Sequence, residues 1–449
     1  MSHANLLARH RKVLPSWMGL YYEQPIELVR GSGCRVTDAE GREYLDFFAG
    51  ILTNMLGYDV PEVRAAIEKQ VATGVMHTST LYLIGAQVEL AERIAALSGI
   101  PDAKVFFTAS GSEAIEAALL LCTQYRRSNS ILALRNSYHG RSFATMAVTG
   151  NRGWSASSLS PVNVSYAQSG YRYRSAFGHL DDAAYIEACA ADLRDVIDTT
   201  TSGDVACLIA EPIQGVGGFT VPPDGLFGAY QDILQEHDIL YVSDEVQTGW
   251  GRTGEHFWGY QAHGVAPDVL TFAKGLGNGL TIGGVVARGE VMDCLNANSI
   301  STFGGNPVST AAGVATLAYV LDHELQANAH KVGNQLLDVL RDLVGQEAGV
   351  GDVRGKGLMI GVELVQPGTK KPDTAAAARV LEATREAGLL IGKGGLYGNV
   401  LRIAPPLTLT EAEAAEGGEI LHSALTQPAP VEEATDDETT DDETTHDET

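Results

Sequence analysis

The sequence is poor in positively charged residues. Its 449 residues include 31 lysines and arginines against 56 aspartates and glutamates, which gives a formal net charge of −25. Ten of the acids lie in residues 432–449, and the rest of the chain still carries about −15. A surface that binds nucleic acid needs clustered cations to neutralise phosphates. This balance therefore argues against nucleic acid as a partner.

Cysteines and long apolar runs are also scarce. The five cysteines are scattered, and their spacing is typical neither of a disulfide framework nor of a metal site. No apolar run approaches the ~18 residues that cross a bilayer. Residues 1–18 mix basic and apolar side chains and lack the continuous apolar segment of a secretory signal. We therefore expect no bound metal, no membrane segment and a cytoplasmic location.

Alternation of apolar runs and helical patterns dominates residues 100–290. Runs such as 104–107, 207–210 and 239–242 show no alternation of polar and apolar side chains. Strands that are buried on both faces have this character, which predicts an α/β fold with a mostly parallel sheet between helices. Further patterns predict a hairpin at 35–48, helices at 61–73 and 308–344, and strands at 357–364 and 400–403.

Ligands of open α/β sheets bind beyond the carboxyl ends of the strands, and two polar segments follow early strands of this pattern. The first, Ser110-Gly111-Ser112, opens a predicted helix, where free backbone N–H groups would suit a phosphate. A plain helix cap formed by Ser112 with Glu113 is the alternative. In the second, Tyr138 would stack on a flat ring and Arg141 would bind a carboxylate, although the segment would also suit a surface loop.

Two later strands end in charged residues. Asp244 closes an apolar strand, where a buried carboxylate needs a partner such as a protonated pyridine nitrogen. A magnesium-binding aspartate would require a phosphate-binding loop of the form Gly-x-x-x-x-Gly-Lys upstream, and the sequence has none. Lys274 closes the next apolar run, where desolvation would make its amine nucleophilic.

These motifs, in this order, resemble those of the class III aminotransferases. The segment at 244–254 reads DEVQTGWGRTG, and Ala273-Lys274-Gly275 follows it. The resemblance runs from about residue 20 to residue 425. It implies a fold type I enzyme that uses pyridoxal 5′-phosphate, similar to 4-aminobutyrate, ornithine and alanine–glyoxylate aminotransferases.

The resemblance also assigns roles to residues. Lys274 and Asp244 would be the catalytic pair: Lys274 would carry the cofactor as a Schiff base and move the proton, and Asp244 would pair with the ring nitrogen. Val246 and Tyr138 would pack on the two ring faces, and Gln247 would bind the phenolic oxygen. The full cofactor-binding set implied is Ser110, Gly111, Ser112, Tyr138, His139, Glu211, Asp244, Val246, Gln247, Lys274 and Thr302.

Two arginines and one glutamate are implied in substrate binding. Arg402 would bind an α-carboxylate, Glu211 would neutralise Arg402 when an ω-amino donor is bound, and Arg141 would bind the distal carboxylate. The donor would be an amino acid or ω-amino acid, and the acceptor 2-oxoglutarate, pyruvate or glyoxylate in a ping-pong cycle. A lyase, decarboxylase or amino-acid epimerase with the same cofactor is the alternative.

The family also implies an assembly and a division of the chain. Thr302 would reach the phosphate of the neighbouring subunit, so the active unit would be a homodimer. Residues 61–310 would form the large cofactor-binding domain. Residues 1–60 would form an N-terminal arm and part of a small domain that residues 311–427 complete. Residues 428–449, with repeated Asp-Asp-Glu-Thr-Thr, would form an acidic disordered tail.

Overall fold

A computed structural model of the protein describes residues 3–345 and 349–427. The predicted tail at 428–449 lies outside the described residues. Within the two described ranges, no helix combines the length and apolar character that a membrane crossing requires.

Strands in the described ranges form three sheets. They are β1 (Leu28–Ser32), β2 (Arg35–Asp38), β3 (Glu43–Asp46), β4 (Ala103–Thr108), β5 (Ser130–Leu134), β6 (Asn163–Ala167), β7 (Val205–Ala210), β8 (Leu240–Asp244), β9 (Val269–Phe272), β10 (Gly283–Arg288), β11 (Val350–Lys356), β12 (Met359–Leu364), β13 (Leu389–Leu390), β14 (Gly392–Gly394) and β15 (Val400–Ile403).

The α-helices of the described ranges pack around and between these sheets. They are α1 (His3–Val13), α2 (Ala49–Leu52), α3 (Pro61–Ala72), α4 (Gly85–Leu97), α5 (Gly111–Arg126), α6 (Phe143–Ala147), α7 (Asp182–Thr200), α8 (Leu226–Glu236), α9 (Gly289–Met292), α10 (Pro307–Asp322), α11 (Leu325–Arg341), α12 (Thr374–Glu386) and α13 (Glu411–Thr426).

The large sheet has the order β4-β10-β9-β8-β7-β5-β6. Pairing is parallel from β6 through β9, whereas β10 pairs antiparallel with both β9 and β4. The predicted mostly parallel sheet is therefore confirmed. The single reversed strand, β10, went unpredicted because strand direction depends on the connection and not on the apolar pattern.

Burial on both faces explains the unbroken apolar runs. In β7, Cys207 and Ile209 pack in a core with α5, whereas Leu208 and Ala210 pack on the opposite face with α7 and α8. Successive side chains of a strand point to opposite faces. Since helices cover both faces, every position of β7 is buried.

Two predicted elements have different bounds from those expected. The helical stretch at 308–344 is two helices, α10 and α11, separated at Glu324, whose φ is +51°. The strand predicted from residue 357 begins at Met359, because Gly357 turns the chain with a φ of +53°. The hairpin at 35–48 is confirmed as β2 and β3, and the helix at 61–73 is confirmed as α3.

The two smaller sheets lie outside the large one in sequence. One has the order β1-β2-β3-β13, and the other β11-β12-β15-β14. In the first, β13 pairs in parallel with β3, so strands from near both ends of the chain share a sheet. The domain division at residues 60 and 310 stays a prediction.

Substitution of two adjacent leucines on α5 tests how much the packing of this helix on the large sheet contributes to stability. Leu119 is 3% exposed and packs against the sheet, whereas Leu120 is 44% exposed. We expect Leu119→Ala to lower the free energy of unfolding by about 2–5 kcal/mol, and Leu120→Ala to lower it by less than about 1 kcal/mol. Urea unfolding of the two variants, followed by circular dichroism, measures the difference. Equal losses would contradict the assigned face of α5.

Candidate active site

The carboxyl ends of β4, β5, β7, β8 and β9 open onto one cavity of about 320 Å³. Parallel strands bring their carboxyl ends to one edge, which is where α/β sheets bind ligands. The lining residues are Thr53, Ala109, Ser110, Gly111, Ser112, Tyr138, His139, Gly140, Glu211, Asp244, Val246, Gln247, Ala273, Lys274, Gly279, Leu280, Thr281 and Ile282. Apart from Thr302, the whole implied cofactor-binding set therefore lies around one space.

Asp244, at the end of β8, is a buried carboxylate with several partners. Its Oδ2 lies 2.7 Å from Nδ1 of His139, whose side chain is fully buried. Its Oδ1 accepts hydrogen bonds from the backbone N–H of Val246 at 3.1 Å and from the Thr271 hydroxyl at 3.4 Å. These donors stabilise a negative charge that burial alone would make costly.

Lys274 begins a short 3-10 turn directly after β9, with a φ of +47°. Burial lowers the pKa of its amine to about 8, although attraction by the Asp244 carboxylate opposes that shift. A substantial fraction of the amine is therefore neutral near physiological pH. A neutral amine is the nucleophilic form that carbonyl chemistry requires.

The N-terminus of α5 forms another wall. Ser110 caps the helix, because its hydroxyl accepts a hydrogen bond from the Glu113 N–H at 3.2 Å. The Glu113 carboxylate in turn accepts from the Ala109 N–H at 2.8 Å. The helix cap is thus Ser110 and not the predicted Ser112, and Gly111 and Ser112 line the cavity at a helix N-terminus, which favours an anion.

Arg402 lies on β15, in the sheet β11-β12-β15-β14, and its side chain contacts the cavity residue Gln247. It is 3% exposed, and burial lowers its pKa to about 10. Its guanidinium lies between the rings of Phe48 and Phe219, at 5.1 and 4.7 Å from their centroids. Its Nη2 donates to Oε1 of Gln247 at 3.1 Å, while its Nε has no hydrogen-bond partner. A buried arginine with a free donor is well suited to a ligand carboxylate.

Glu211 is held by the backbone. Its two carboxylate oxygens accept from the N–H groups of Tyr138 and Gly215, each at 2.8 Å. Burial raises the pKa of Glu211 to about 7, against the attraction of His139. Arg402 donates its hydrogen bond to Gln247 and not to Glu211. Glu211 acts on Arg402 through electrostatic attraction without a direct ion pair.

Arg141 and Thr302 do not line the cavity. Arg141 is exposed, and its guanidinium stacks on the ring of Trp17 at 4.9 Å. Thr302 is exposed in the segment between α9 and α10. The structure thus brings together the residues predicted to bind the cofactor, except Thr302, and leaves Arg141 and Thr302 at the surface.

Sequence reasoning missed Thr53 and residues 279–282 as lining residues. Residues 279–282 follow the turn that carries Lys274, so their place in the sequence could have located them. Thr53 follows α2, far from the other motifs along the chain, and no signal pointed to it.

The donor set fits pyridoxal phosphate. The cavity is surrounded by groups that match the parts of this cofactor: the amine of Lys274, the carboxylate of Asp244, the N-terminus of α5, and the side chains of Tyr138 and Val246. In addition, Nε2 of His139 is buried without a hydrogen-bond partner. Among the residues that the structure describes, no group of three or more His, Cys, Asp and Glu side chains is placed to hold a metal ion.

Comparison of the sequence with known proteins identifies the family of this chain. Residues 21–425 match the family described as "Aminotransferase class-III". The chain is 41% identical to alanine–glyoxylate aminotransferase 2 homolog 2, mitochondrial, of Arabidopsis thaliana, over 91% of this chain and 84% of that protein. It is 36% identical to an acetylornithine aminotransferase of Methanothermobacter thermautotrophicus, over 94% and 98% of the two chains.

A solved structure agrees with the sequence matches. An amine transaminase from an uncultivated Pseudomonas species, determined in its PLP-bound form, matches with a TM-score of 0.86 and 32% identity. The match covers 92% of this chain and 98% of that one. The chain therefore belongs to the class III aminotransferases, enzymes that depend on pyridoxal phosphate.

Proposed function

We propose that this aminotransferase moves an amino group from an amino acid or ω-amino acid to 2-oxoglutarate, pyruvate or glyoxylate in a ping-pong cycle. One observation carries the proposal: Lys274, Asp244 and the N-terminus of α5 all face the same cavity. Two arginines near the cavity, Arg402 behind the lining residue Gln247 and Arg141 at the rim, supply charges for the carboxylates of such substrates. Bound pyridoxal phosphate supplies an electron-withdrawing ring that stabilises negative charge on the substrate carbon.

Lys274 would hold the cofactor and move the proton. Its Nζ would bind the cofactor aldehyde and, once substrate replaces it, would take a proton from the substrate Cα. A pKa near 8 suits this task, because the amine both accepts and releases a proton near physiological pH.

Asp244 and His139 act together on the ring nitrogen. Because His139 contacts one carboxylate oxygen and the Val246 N–H contacts the other, the Asp244 carboxylate is held in one orientation. A fixed anion would keep the ring nitrogen protonated. We assign His139 the role of positioning Asp244.

The remaining lining residues bind the rest of the cofactor. Gly111 and Ser112, with Ser110 as the helix cap, would bind the phosphate at the start of α5. Tyr138 and Val246 would pack on the ring faces, and Gln247 would donate to the phenolic oxygen. A Cβ at Gly215 would lie 2.2 Å from Nε2 of Gln247, so glycine at that position leaves room for the amide.

Arg402 and Glu211 would accommodate two kinds of substrate. The free Nε of Arg402 suits an α-carboxylate. For a donor without that carboxylate, an ionised Glu211 would neutralise the arginine, whose charged form it already favours by electrostatic attraction. One pocket would thereby serve both halves of the cycle.

We further propose a homodimer in which Thr302 reaches the phosphate of the partner's site. Thr302 lies outside the cavity of its own chain, so that role requires a second copy. Phe303 beside it is 62% exposed, and Leu81, Tyr82 and Leu83 are 72%, 70% and 98% exposed. Apolar side chains with this exposure favour an interface with another protein.

A reducing compartment fits the thiols of the described residues. All five cysteines are free, and four of them are buried. Disulfides are rare in the cytoplasm. We therefore propose a cytoplasmic location.

The lysine assignment is tested by replacement. Lys274→Ala should lower kcat by at least about 1,000-fold, because both cofactor attachment and proton transfer are lost. After treatment with pyridoxal phosphate and borohydride, mass spectrometry should find the label at residue 274 of the wild type only. Lys371→Ala, a change at an exposed lysine, is the matched control and should retain activity. Normal turnover of Lys274→Ala would refute the assignment.

The reaction class is tested with a donor and no acceptor. When the holoenzyme meets L-alanine or 4-aminobutyrate alone, we expect one equivalent of oxo product per active site, no ammonia, and a stable aminated cofactor spectrum. Addition of an oxo acid should restore the original spectrum. Continuous release of ammonia or carbon dioxide, or racemisation with the spectrum unchanged, would instead indicate a lyase, decarboxylase or epimerase.

The pH dependence of acceptor binding tests Glu211. Its pKa is raised to about 7, so the side chain is neutral below that pH and negative above it. An ionised Glu211 competes with the substrate for Arg402, so KM for pyruvate should rise by about two- to five-fold from pH 6 to pH 8. In the Glu211→Gln variant, the KM for pyruvate should change little between pH 6 and pH 8. The KM for butylamine, which has no carboxylate, is measured in the same buffers as the control. An unchanged profile in the variant would contradict the role.

A further inference from the structure

Arg141 is a cation at the rim of the cavity. Gly140, the residue before it, lines the cavity, and the backbone N–H of Arg141 donates to the Ser112 hydroxyl at 3.2 Å. The ion pairs of the described residues leave Arg141 without a carboxylate partner. Its backbone is therefore fixed beside the site, while its charge is available to a ligand.

The guanidinium of Arg141 stacks on the aromatic ring of Trp17. Its carbon lies 4.9 Å from the ring centroid of Trp17, and Trp17 is 70% exposed. An aromatic face attracts a guanidinium without consuming its in-plane N–H groups. Those N–H groups form the two parallel hydrogen bonds by which arginine binds a carboxylate. Stacking on Trp17 thus restricts Arg141 and leaves its recognition edge free.

The segment that carries Trp17 is itself anchored beside the site. The Met18 N–H donates to the Pro15 carbonyl at 3.1 Å, which closes a turn around Trp17. Further along, Tyr21 stacks on Phe48 at 6.2 Å, and its hydroxyl donates to the Lys393 carbonyl at 3.3 Å. Phe48 is the ring that contacts Arg402. One N-terminal segment therefore contacts Arg141 directly and Arg402 through a single ring.

We propose that Trp17 is a specificity-determining residue, which holds Arg141 in place for the second carboxylate of a substrate. The favoured ligands are accordingly those with two carboxylates, such as a five-carbon dicarboxylate, over monocarboxylates of similar length. This inference rests on the proposed function for the identity of the substrates, and on the Trp17–Arg141 contact for the mechanism of selection.

Equilibrium binding of unreactive ligands tests the proposal. Isothermal titration calorimetry of the holoenzyme would measure the dissociation constants of glutarate and butyrate, which differ by the second carboxylate. Trp17→Ala should reduce the preference for glutarate over butyrate by about three- to ten-fold, and Trp17→Phe should largely preserve it. Tyr397→Ala is the matched control, because it removes an arginine–aromatic contact of 5.0 Å elsewhere and should preserve the ratio.

A double variant separates this mechanism from a structural one. In an Arg141→Ala background, Trp17→Ala should cause no further loss of preference, since the two residues act through one contact. Independent losses, an unchanged ratio in Trp17→Ala, or glutarate that binds no tighter than butyrate to the wild type would overturn the proposal. An altered melting temperature for Trp17→Ala with an unchanged ratio would also count against it, as a purely structural role.

The binding assay does not depend on turnover. If the protein transaminates none of the tested donors, the proposed function fails while the binding ratio still reports on Trp17. If transamination proceeds and the ratio is unaffected by Trp17→Ala, the proposed function stands and the assignment of Trp17 falls.

Discussion

The buried carboxylate of Asp244 constrains the surrounding structure. A charge at the end of an apolar strand costs several kcal/mol unless donors compensate it. Here the compensation comes from His139, the Val246 N–H and Thr271, which lie after or within three different strands. Stabilising this one charge therefore requires β5, β8 and β9 to end at the same level. The same alignment brings Lys274 into the cavity.

Desolvation acts on the other charged groups of the cavity in a common direction. Burial lowers the pKa of Lys274 to about 8 and that of Arg402 to about 10, and it raises the pKa of Glu211 to about 7. Each shift moves a group toward its neutral form. Lys274 and Glu211 consequently titrate near physiological pH, so a ligand charge can change their protonation.

The residues at the strand ends of the cavity could be predicted from the sequence, whereas the contacts at its rim could not. Lys274, Asp244 and the start of α5 were found because each is a polar exception at the end of an apolar run, and a parallel sheet brings such exceptions together. The reversal of β10 could not be predicted, because it depends on the path of the chain between strands. Nor could the stacking of Arg141 on Trp17, which joins residues that lie more than 100 positions apart. Contacts of that kind leave no local pattern.

The same distinction separates the two proposed functions of the site, bond chemistry and substrate recognition. Groups assigned to bond chemistry follow the strands of the large sheet, where packing on both faces fixes them. Groups at the substrate end include Phe48 and Thr53, which flank the left-handed turn of α2. Three non-glycine residues of that turn have positive φ, at a cost of about 1–2 kcal/mol each. Asp46 offsets part of this cost, because its Oδ1 accepts from the N–H groups of Phe48 and Ala49.

A strained turn is retained when its geometry serves a purpose that a relaxed turn would not. In this protein the turn places the ring of Phe48 against Arg402 and brings Thr53 to the cavity lining. The N-terminal segment adds Tyr21 and Trp17 to the same side. With the proposed roles of Trp17 and Arg402, substrate selection would depend on N-terminal residues outside the large sheet. On that proposal, changes in this segment would alter which carboxylates are bound and would leave the contacts of Asp244 with His139 and Thr271 in place.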